Sequence, residues 1–142
     1  MKVAVTGAKG IVGRNVVRHL LRNGYDVLSL THSNWKGCPT EQKLIDIRNY
    51  DEVYDAIKGC DAIVHLAAIP QPDEQDNTPR VFQNNVLGQY NILMAAGLQG
   101  IKKVALASSD CAVGITFAHN PVLPKYLPID EKHDCTPDNS YG

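Results

Sequence analysis

Three glycines near the N-terminus have a spacing that suits phosphate binding. Gly7, Gly10 and Gly13 follow the apolar run 3–5 and Thr6, and a segment with helical periodicity comes next. The start of a helix offers unpaired N–H groups and a favourable dipole to a pyrophosphate. Side chains here would obstruct the tight turn, the approach of the phosphates or the packing of helix on strand. The pattern predicts a strand, a glycine turn and a helix that bind a nucleotide.

The segment after the glycines is predicted to be an amphipathic helix. Its apolar residues recur at helical spacing, so they should share one face and pack on the sheet. They are Val12, Val16, Val17, Leu20 and Leu21.

Apolar runs and helical segments alternate along the rest of the chain, which predicts a doubly wound α/β fold with a parallel sheet covered on both faces. Further strands are predicted over 25–30, 44–47, 62–68 and 103–107, and helices over 51–58 and 80–98. The polar segment 70–79 is predicted to be a loop at the ligand-binding edge of the sheet. His65 is expected to be packed and hydrogen-bonded, with no acid/base role. The packed stripe of the last helix is expected to comprise Val86, Tyr90, Leu93, Met94 and Gly97.

The residue that ends the second strand distinguishes two cofactors in this architecture. An acid binds the ribose hydroxyls of NAD, whereas basic or small polar residues admit the 2′-phosphate of NADP. Here Thr31 holds the position, followed by His32, Ser33 and Asn34, so the residue at this position does not distinguish NAD from NADP. We expect NAD because no basic cluster follows the strand, only His32 and Lys36 being candidates, and NADP stays open.

The bulk composition is that of a globular domain. The 142 residues are 44% hydrophobic and 20% charged with a net charge of -1, which gives no sign of nucleic acid or an anionic membrane as partner. No apolar run approaches the ~20 residues of a membrane span, and the predicted strand at the N-terminus leaves no room for a signal peptide. The four cysteines are far apart, which favours reduced thiols in a cytoplasmic protein over disulfides or a metal site.

Six short motifs occur in order: T-G-x-x-G-x-x-G at 6–13, an acid at 46, H-L-A-A at 65–68, N-N-V-x-G at 84–88, S-S at 108–109 and P-x-x-S-Y-G at 137–142. Together they resemble the N-terminal part of the extended short-chain dehydrogenases/reductases, the NAD-dependent epimerase/dehydratase family. The resemblance covers essentially the whole chain and implies a Rossmann-type sheet. The stretch 108–114 is similar to that of uronate dehydrogenases, whereas the epimerases more often carry a tyrosine where this chain has Val113.

The resemblance also implies roles for individual residues. The glycines would hold the pyrophosphate, Asp46 and Ile47 would border the adenine, and residues 66–68 would pass close to the ribose and nicotinamide. Asn85 would support a proton-relay water, Ser109 would bind the substrate oxygen, and Tyr141 would be the general acid/base. The full cofactor set is Gly7, Lys9, Gly10, Ile11, Gly13, Thr31, Asp46, Ile47, Leu66, Ala67, Ala68 and Ala107.

The activity that the resemblance implies is that of an oxidoreductase, or of an epimerase or dehydratase using internal oxidation. In each case a hydride moves between a nicotinamide cofactor and a sugar, sugar acid or nucleotide-sugar. A phenol gives up its proton near neutral pH only beside a cation, and the family supplies a lysine one helical turn after its tyrosine. That lysine, the last strands and the substrate domain would follow Gly142. We therefore expect residues 1–142 to be an incomplete NAD(P)-binding domain, truncated from a longer enzyme and inactive alone.

Several alternatives remain open at this point. A genuine short chain could be a non-catalytic NAD(P)-binding sensor, and a purely structural module is the least favoured reading because it leaves the glycine turn without a purpose. Ser109 could simply cap the turn that follows the fifth strand. Members of the family commonly dimerise through two helices per subunit, so a homodimer through helix 80–98 is also expected.

Overall fold

A computed structural model describes residues 1–70, 78–120, 122–139 and 141–142 of the protein. The chain divides into two compact units. The first comprises Met1–Ala68 and Gln83–Ala107, and the second comprises Ile69–Phe82 and Ser108–Gly142. Most of the loop predicted over 70–79 lies outside the described residues, as does Ser140 of the last motif.

The first unit is built on five parallel strands in the order β3-β2-β1-β4-β5. The order reverses between β1 and β4, so the loops that follow these two strands are neighbours at the carboxyl edge of the sheet, where ligands bind in open α/β sheets. This arrangement confirms the predicted doubly wound, Rossmann-type fold. The strands are β1 Lys2–Thr6, β2 Asp26–Thr31, β3 Glu41–Leu44, β4 Ala62–His65 and β5 Lys103–Leu106.

The helices of the first unit cover both faces of this sheet. Val3 and Val5 of β1 pack with Val17 of the first helix on one face. Ala4 points the other way and belongs to the cluster that buries Val53 and Ile92. The helical elements of the first unit are α1 Ile11–Arg22, α2 Tyr50–Ala56, a π-helical turn Gln83–Leu87 and α4 Gly88–Leu98. A short helix, α3 Thr78–Phe82, precedes the π-helical turn in the chain and belongs to the second unit.

The single helix predicted over 80–98 is therefore wrong. The chain forms α3, the π-helical turn and α4 instead. Asn84 and Asn85 lie in the π-helical turn, and asparagine favours helix interiors poorly because its side chain competes for backbone hydrogen bonds. Isolated π turns are frequent at functional sites.

The packed stripe predicted for this helix is also wrong. Tyr90, Leu93 and Met94 are exposed, and so is Val86 in the preceding turn. The helix α4 itself carries apolar residues on every side, so the periodicity of the sequence alone could not identify its buried face. The residues that α4 buries are Gly88, Asn91, Ile92, Ala95 and Ala96.

The inner face of α1 is narrower than predicted. Val17 is buried, and Val16 and Leu20 pack partly against its cluster, but Val12 and Leu21 are exposed. Gly13 is buried against Gly7 and Ala8 of the turn after β1, so the inner face of α1 is centred on Gly13 and Val17, and Val12 and Leu21 lie outside it.

Some predicted bounds shift. β2 starts and ends one residue later than predicted, α2 spans 50–56, and β4 and β5 stop at 65 and 106. β3 precedes the apolar stretch predicted as strand; Ile45 and Ile47 are buried just beyond it. The predicted cover on both faces of the sheet does not extend to β5, which is the last strand in the order and has three of its four residues exposed.

Two features of the described residues bear on the class of protein. No helix in the described ranges is long and apolar enough to cross a membrane. All four cysteines are free thiols, with Cys60 and Cys111 buried, Cys38 half-buried and Cys135 exposed.

Candidate functional site

The glycine turn after β1 has no room for side chains at two of its three glycines. Gly7 has a φ of +64°, and a Cβ there would lie 2.8 Å from the backbone nitrogen of Ala67. A Cβ on Gly13 would collide with the carbonyl oxygen of Gly7 and lie 2.8 Å from Cα of Ala8. The tight turn and the close packing of helix on strand that the spacing predicted are therefore both present.

The start of α1 is open to an anion. Gly10 is the N-cap, its N–H is bonded to the Gly7 carbonyl at 2.9 Å, and no described side chain caps the helix. The first turn, which begins at Ile11, carries no acid. The backbone donors and the dipole of this helix start therefore face no competing negative group, as binding of a pyrophosphate requires.

Thr6 and His65 end the two central strands and share one hydrogen-bond network. Oγ1 of Thr6 lies 2.7 Å from Nδ1 of His65 and accepts from the N–H groups of Leu66 and Ala67, both at 3.1 Å. His65 is only 5% exposed, and burial lowers its pKa to about 4. His65 is thus the packed, hydrogen-bonded residue that the sequence predicted.

The loop after β4 lies beside the glycine turn. Leu66 and Ala67 are half-buried, Ala68 is exposed, and the backbone of Leu66 and Ala67 approaches Gly7 closely. Ala107 follows β5, and its N–H donates to the carbonyl of His65 at 3.1 Å. Residues 66–68 and 107 therefore lie at the carboxyl edge, as predicted.

Asp46 and Ile47 follow β3 and are held by two different residues. The Arg48 guanidinium donates to both carboxylate oxygens of Asp46, at 2.9 and 3.0 Å, and holds the pKa of that carboxyl below its usual value. Asn91 on α4 donates to the Ile47 carbonyl at 3.0 Å. A Cβ on Gly88 would lie 2.8 Å from Cγ1 of Ile47, so the glycine lets α4 approach this loop closely.

The environment of Thr31 at the end of β2 differs from the sequence-based prediction. Thr31 is buried, and its Oγ1 accepts from Nε2 of Gln42 at 2.7 Å. The side chain next to the glycine turn is Ser33, whose Oγ accepts from Nζ of Lys9 at 2.9 Å. The turn and the residues after β2 are therefore in direct contact.

Asn85 belongs to the first unit and lies in the π-helical turn. Its side-chain oxygen accepts from Nδ2 of Asn84 at 2.9 Å, and both side chains are half-buried.

Ser109 and Tyr141 belong to the second unit. Ser109 caps the 3₁₀ turn Asp110–Val113 by accepting from the N–H of Cys111 at 3.2 Å, so the capping contact that the sequence allowed is present. Asn139 accepts from the N–H groups of Tyr141 and Gly142, both at 2.9 Å, with its side-chain oxygen. A Cβ on Gly142 would lie 2.7 Å from the carbonyl oxygen of Cys111, so the segment 141–142 contacts the turn that Ser109 caps.

The structure thus brings the predicted cofactor residues together in the first unit and the segments of Ser109 and Tyr141 together in the second. Sequence reasoning missed four residues that position them: Thr6, Ser33, Asn91 and Asn139. Only Thr6, inside the glycine motif, carried a signal in the sequence. The other three act through contacts that spacing does not reveal.

Comparison with known proteins now identifies the family. The sequence model of the NAD dependent epimerase/dehydratase family matches residues 3–142. The chain belongs to this family.

Several relatives and solved structures match nearly the whole chain. The chain is similar to an L-arabinose 1-dehydrogenase (NAD(P)(+)) of Haloferax volcanii, with 37% identity over 99% of this chain and 56% of the relative. It superposes on a short-chain dehydrogenase/reductase superfamily protein from Agrobacterium tumefaciens with bound NAD (TM-score 0.85, 30% identity, 99% of this chain and 40% of that one). A mutated uronate dehydrogenase gives a TM-score of 0.81 at 29% identity over 99% of this chain and 48% of its own.

The lengths of these proteins differ from that of this chain. The chain spans 56% of the L-arabinose 1-dehydrogenase and 33% of a second curated relative that it matches. The comparisons therefore concern the N-terminal part of each relative.

Proposed function

We propose that this chain is the NAD(P)-binding part of an oxidoreductase, or of an epimerase or dehydratase that oxidises its substrate transiently, and that the substrate is a sugar, sugar acid or nucleotide-sugar. The observation that carries the proposal is the close approach of Gly7 to Ala67 where the strand order reverses, beside a helix start that no described side chain caps. A glycine turn with unpaired backbone donors at the start of a helix suits a dinucleotide, and larger side chains in the turn would fill the space that the pyrophosphate needs.

The proposed binding mode uses residues that the structure holds in place. The N–H groups at the start of α1 would donate to the pyrophosphate. Asp46 would accept from the adenine amine, and its lowered pKa keeps it a carboxylate and hence an acceptor at neutral pH. The backbone of 66–68 would border the ribose and the nicotinamide, with Ala107 beside it.

The proposed chemistry removes the proton from the carbinol hydroxyl and a hydride from its carbon, which leaves a carbonyl group. The nicotinamide, when bound, supplies a hydride acceptor. Tyr141 would take the hydroxyl proton of the substrate, and Ser109 would hold the same oxygen by a hydrogen bond. Asn85 would support the water that relays the proton onward.

The proposed substrate class rests on the relatives and on one stretch of sequence. The relatives are named for L-arabinose and for uronate, and residues 108–114 are similar to those of the uronate dehydrogenases. A sugar or sugar acid is therefore our first choice, with nucleotide-sugars next.

We also propose that residues 1–142 form one NAD(P)-binding domain and that the substrate-selecting part lies in chain beyond it, in keeping with the greater length of the relatives. The exposed apolar face of α4, with Tyr90, Leu93, Met94 and Leu98, supports a homodimer through this helix. The protein would act in the cytoplasm.

The proposal is tested with the full product of the coding frame. The protein is incubated with NAD or NADP and a panel of aldoses, uronic acids and nucleotide-sugars, and formation of the reduced nicotinamide is followed by its absorbance. We expect turnover with at least one sugar. If the dinucleotide binds and no reduced nicotinamide accumulates, chromatography of the sugars decides: a converted sugar would mean an epimerase or dehydratase that returns the hydride, and no converted sugar would favour a sensor. Absence of binding would overturn the proposal entirely.

A further inference from the structure

The residue after Ser109 is an acid with hydroxyl groups beside it. The carboxylate of Asp110 accepts a hydrogen bond from Oγ1 of Thr116 at 2.9 Å on one oxygen, and Oγ of Ser109 lies 3.4 Å from the other oxygen. Asp110 is exposed to solvent, and the hydrogen bond from Thr116 is the main cause that holds the pKa of this carboxyl below its ordinary value. Asp110 is therefore an anion at neutral pH, next to the serine proposed to bind the substrate oxygen.

No cation balances the charge of Asp110 in the part of the chain that the structure describes. None of the ion pairs found there includes Asp110. The chain from Ser108 to Phe117 also contains no lysine, arginine or histidine. A ligand that binds to Ser109 therefore approaches an uncompensated negative charge.

The carboxylate of Asp110 retains acceptor sites for a ligand. An ionised carboxylate has about four acceptor sites and no donor. Thr116 uses one oxygen, and the other oxygen has only the contact with Ser109 and a long one, of 3.8 Å, with Sγ of Cys111. Sugar hydroxyls can donate to the remaining sites, whereas the carboxylate of a sugar acid offers only acceptors and a second negative charge. The position therefore favours an uncharged polyol.

The charge of Asp110 is close enough to act on a bound sugar. A substrate oxygen held about 2.8 Å from Oγ of Ser109 would lie no more than about 6 Å from the nearer oxygen of Asp110. The Debye length at physiological ionic strength is about 8 Å, so salt would only partly screen a charge on the same sugar ring. A carboxylate on the substrate would therefore be repelled.

We propose that Asp110 is a specificity-determining residue, which selects a sugar without a carboxylate and disfavours sugar acids. The inference rests on the proposed function, because it takes Ser109 as the residue that holds the substrate oxygen. It narrows the proposed substrates to neutral sugar units, free or nucleotide-linked. The similarity of 108–114 to uronate dehydrogenases favours sugar acids, and the charge of Asp110 argues against that choice.

Pairs of substrates that differ only in a carboxylate at the sixth carbon provide the test. Conversion by the full product of the coding frame is measured with glucose and glucuronate, galactose and galacturonate, and UDP-glucose and UDP-glucuronate. We expect kcat/KM for the neutral member to exceed that for its acid roughly tenfold or more, because two like charges several ångströms apart repel at a protein surface. The ratio should fall as the salt concentration rises.

Two variants test whether the preference comes from Asp110. Asp110→Asn keeps the size of the side chain and an acceptor for Thr116 but removes the charge. It should raise kcat/KM for the acid roughly tenfold, mainly through KM, and it should not raise kcat/KM for the neutral sugar. A merely structural role would instead lower both values.

The matched control is Asp130→Asn. Asp130 is an exposed carboxylate of the same unit and also accepts from a hydroxyl group, that of Tyr126 at 2.7 Å. Its replacement should leave the ratio between neutral sugar and acid unchanged.

The outcomes separate this inference from the proposed function. If the acids react as well as the neutral sugars or better, or if the preference survives Asp110→Asn, Asp110 does not select the substrate and the inference fails alone. If Asp130→Asn abolishes the preference as well, the effect is not local to Ser109 and the inference also fails. If no sugar of the panel is converted although the dinucleotide binds, the proposed function fails and the inference fails with it.

Discussion

The Thr6 hydroxyl and the His65 imidazole join the ends of β1 and β4, with 2.7 Å between Oγ1 and Nδ1. Because Oγ1 of Thr6 already accepts from the N–H groups of Leu66 and Ala67, its own proton must point to His65. His65 is therefore neutral and carries its proton on Nε2. This network holds the loop after β4 beside the glycine turn.

Removing the Thr6 hydroxyl should destabilise the fold. Thr6→Val keeps the shape but leaves the His65 nitrogen and two backbone N–H groups without their partner, at a cost of at least about 2 kcal/mol. Thr6→Ser keeps the hydroxyl and should stay within about 1 kcal/mol of the wild type. Urea unfolding followed by circular dichroism measures both, and equal stabilities of the two variants would contradict the network.

Acid should weaken the fold through His65. Its pKa of about 4 in the folded protein is below the ordinary value of 6.5, so the unfolded chain binds the proton first as the pH falls. The stability that neutral His65 provides is fully present above pH 6.5 and is lost progressively towards pH 4. Between pH 7 and 5 the loss should be about 2 kcal/mol.

The control for this pH dependence is His65→Gln, which cannot titrate. The free energy of unfolding of both proteins is measured at each pH, and the difference between them should shrink by about 2 kcal/mol from pH 7 to pH 5. A difference that does not change with pH would mean that His65 is not held neutral in the folded protein.

Disrupting the apolar face of α4 should reduce self-association. Leu93 is exposed in the described structure, so Leu93→Lys places a charge in the proposed dimer interface with little cost to the monomer fold. Light scattering after size-exclusion chromatography should show a dimer for the wild type and a monomer for the variant. Leu123→Lys, a highly exposed leucine of the second unit, should leave the dimer intact. A wild type that is monomeric at every concentration would refute this interface.

Tyr141 should be required for catalysis and not for cofactor binding. In the full product of the coding frame, Tyr141→Phe should lower kcat roughly 10²–10⁴-fold, as expected when a general acid/base is removed. Its affinity for NAD should stay unchanged. Tyr126→Phe provides a matched control, since Tyr126 belongs to the same unit and its hydroxyl donates to Asp130 at 2.7 Å. Activity that survives Tyr141→Phe would require a different acid/base.

The sequence predicted the sheet well because its strong signals were local. The strand, glycine turn and helix from Lys2 to Arg22 follow from glycine spacing and apolar runs, and Gly7 and Gly13 are indeed crowded by backbone atoms. The predicted packing of the helix 80–98 failed because α4 is apolar on every side. The buried face of such a helix can be identified only when the elements that pack against it are known.

The finer parts of the candidate site depended on contacts between residues far apart in the chain. Thr31 was assigned to the cofactor by position, but Gln42 of β3 takes its hydroxyl. Lys9 and Ser33 are 24 residues apart and meet only because the turn and the end of β2 share one edge. The orientation of Tyr141 by Asn139 likewise required the folded second unit.

The measurement that tests the central claim most directly is NAD binding by two glycine variants of this protein. Gly7→Ala places a Cβ against Ala67 at a φ of +64°, and Gly24→Ala places one in open space at a φ of +76°. In both variants the left-handed backbone conformation of the alanine costs about 1–2 kcal/mol. Calorimetric titration should show that Gly24→Ala binds NAD like the wild type and that Gly7→Ala, still folded by circular dichroism, does not. Equal affinities in the two variants would place the dinucleotide elsewhere and contradict the account.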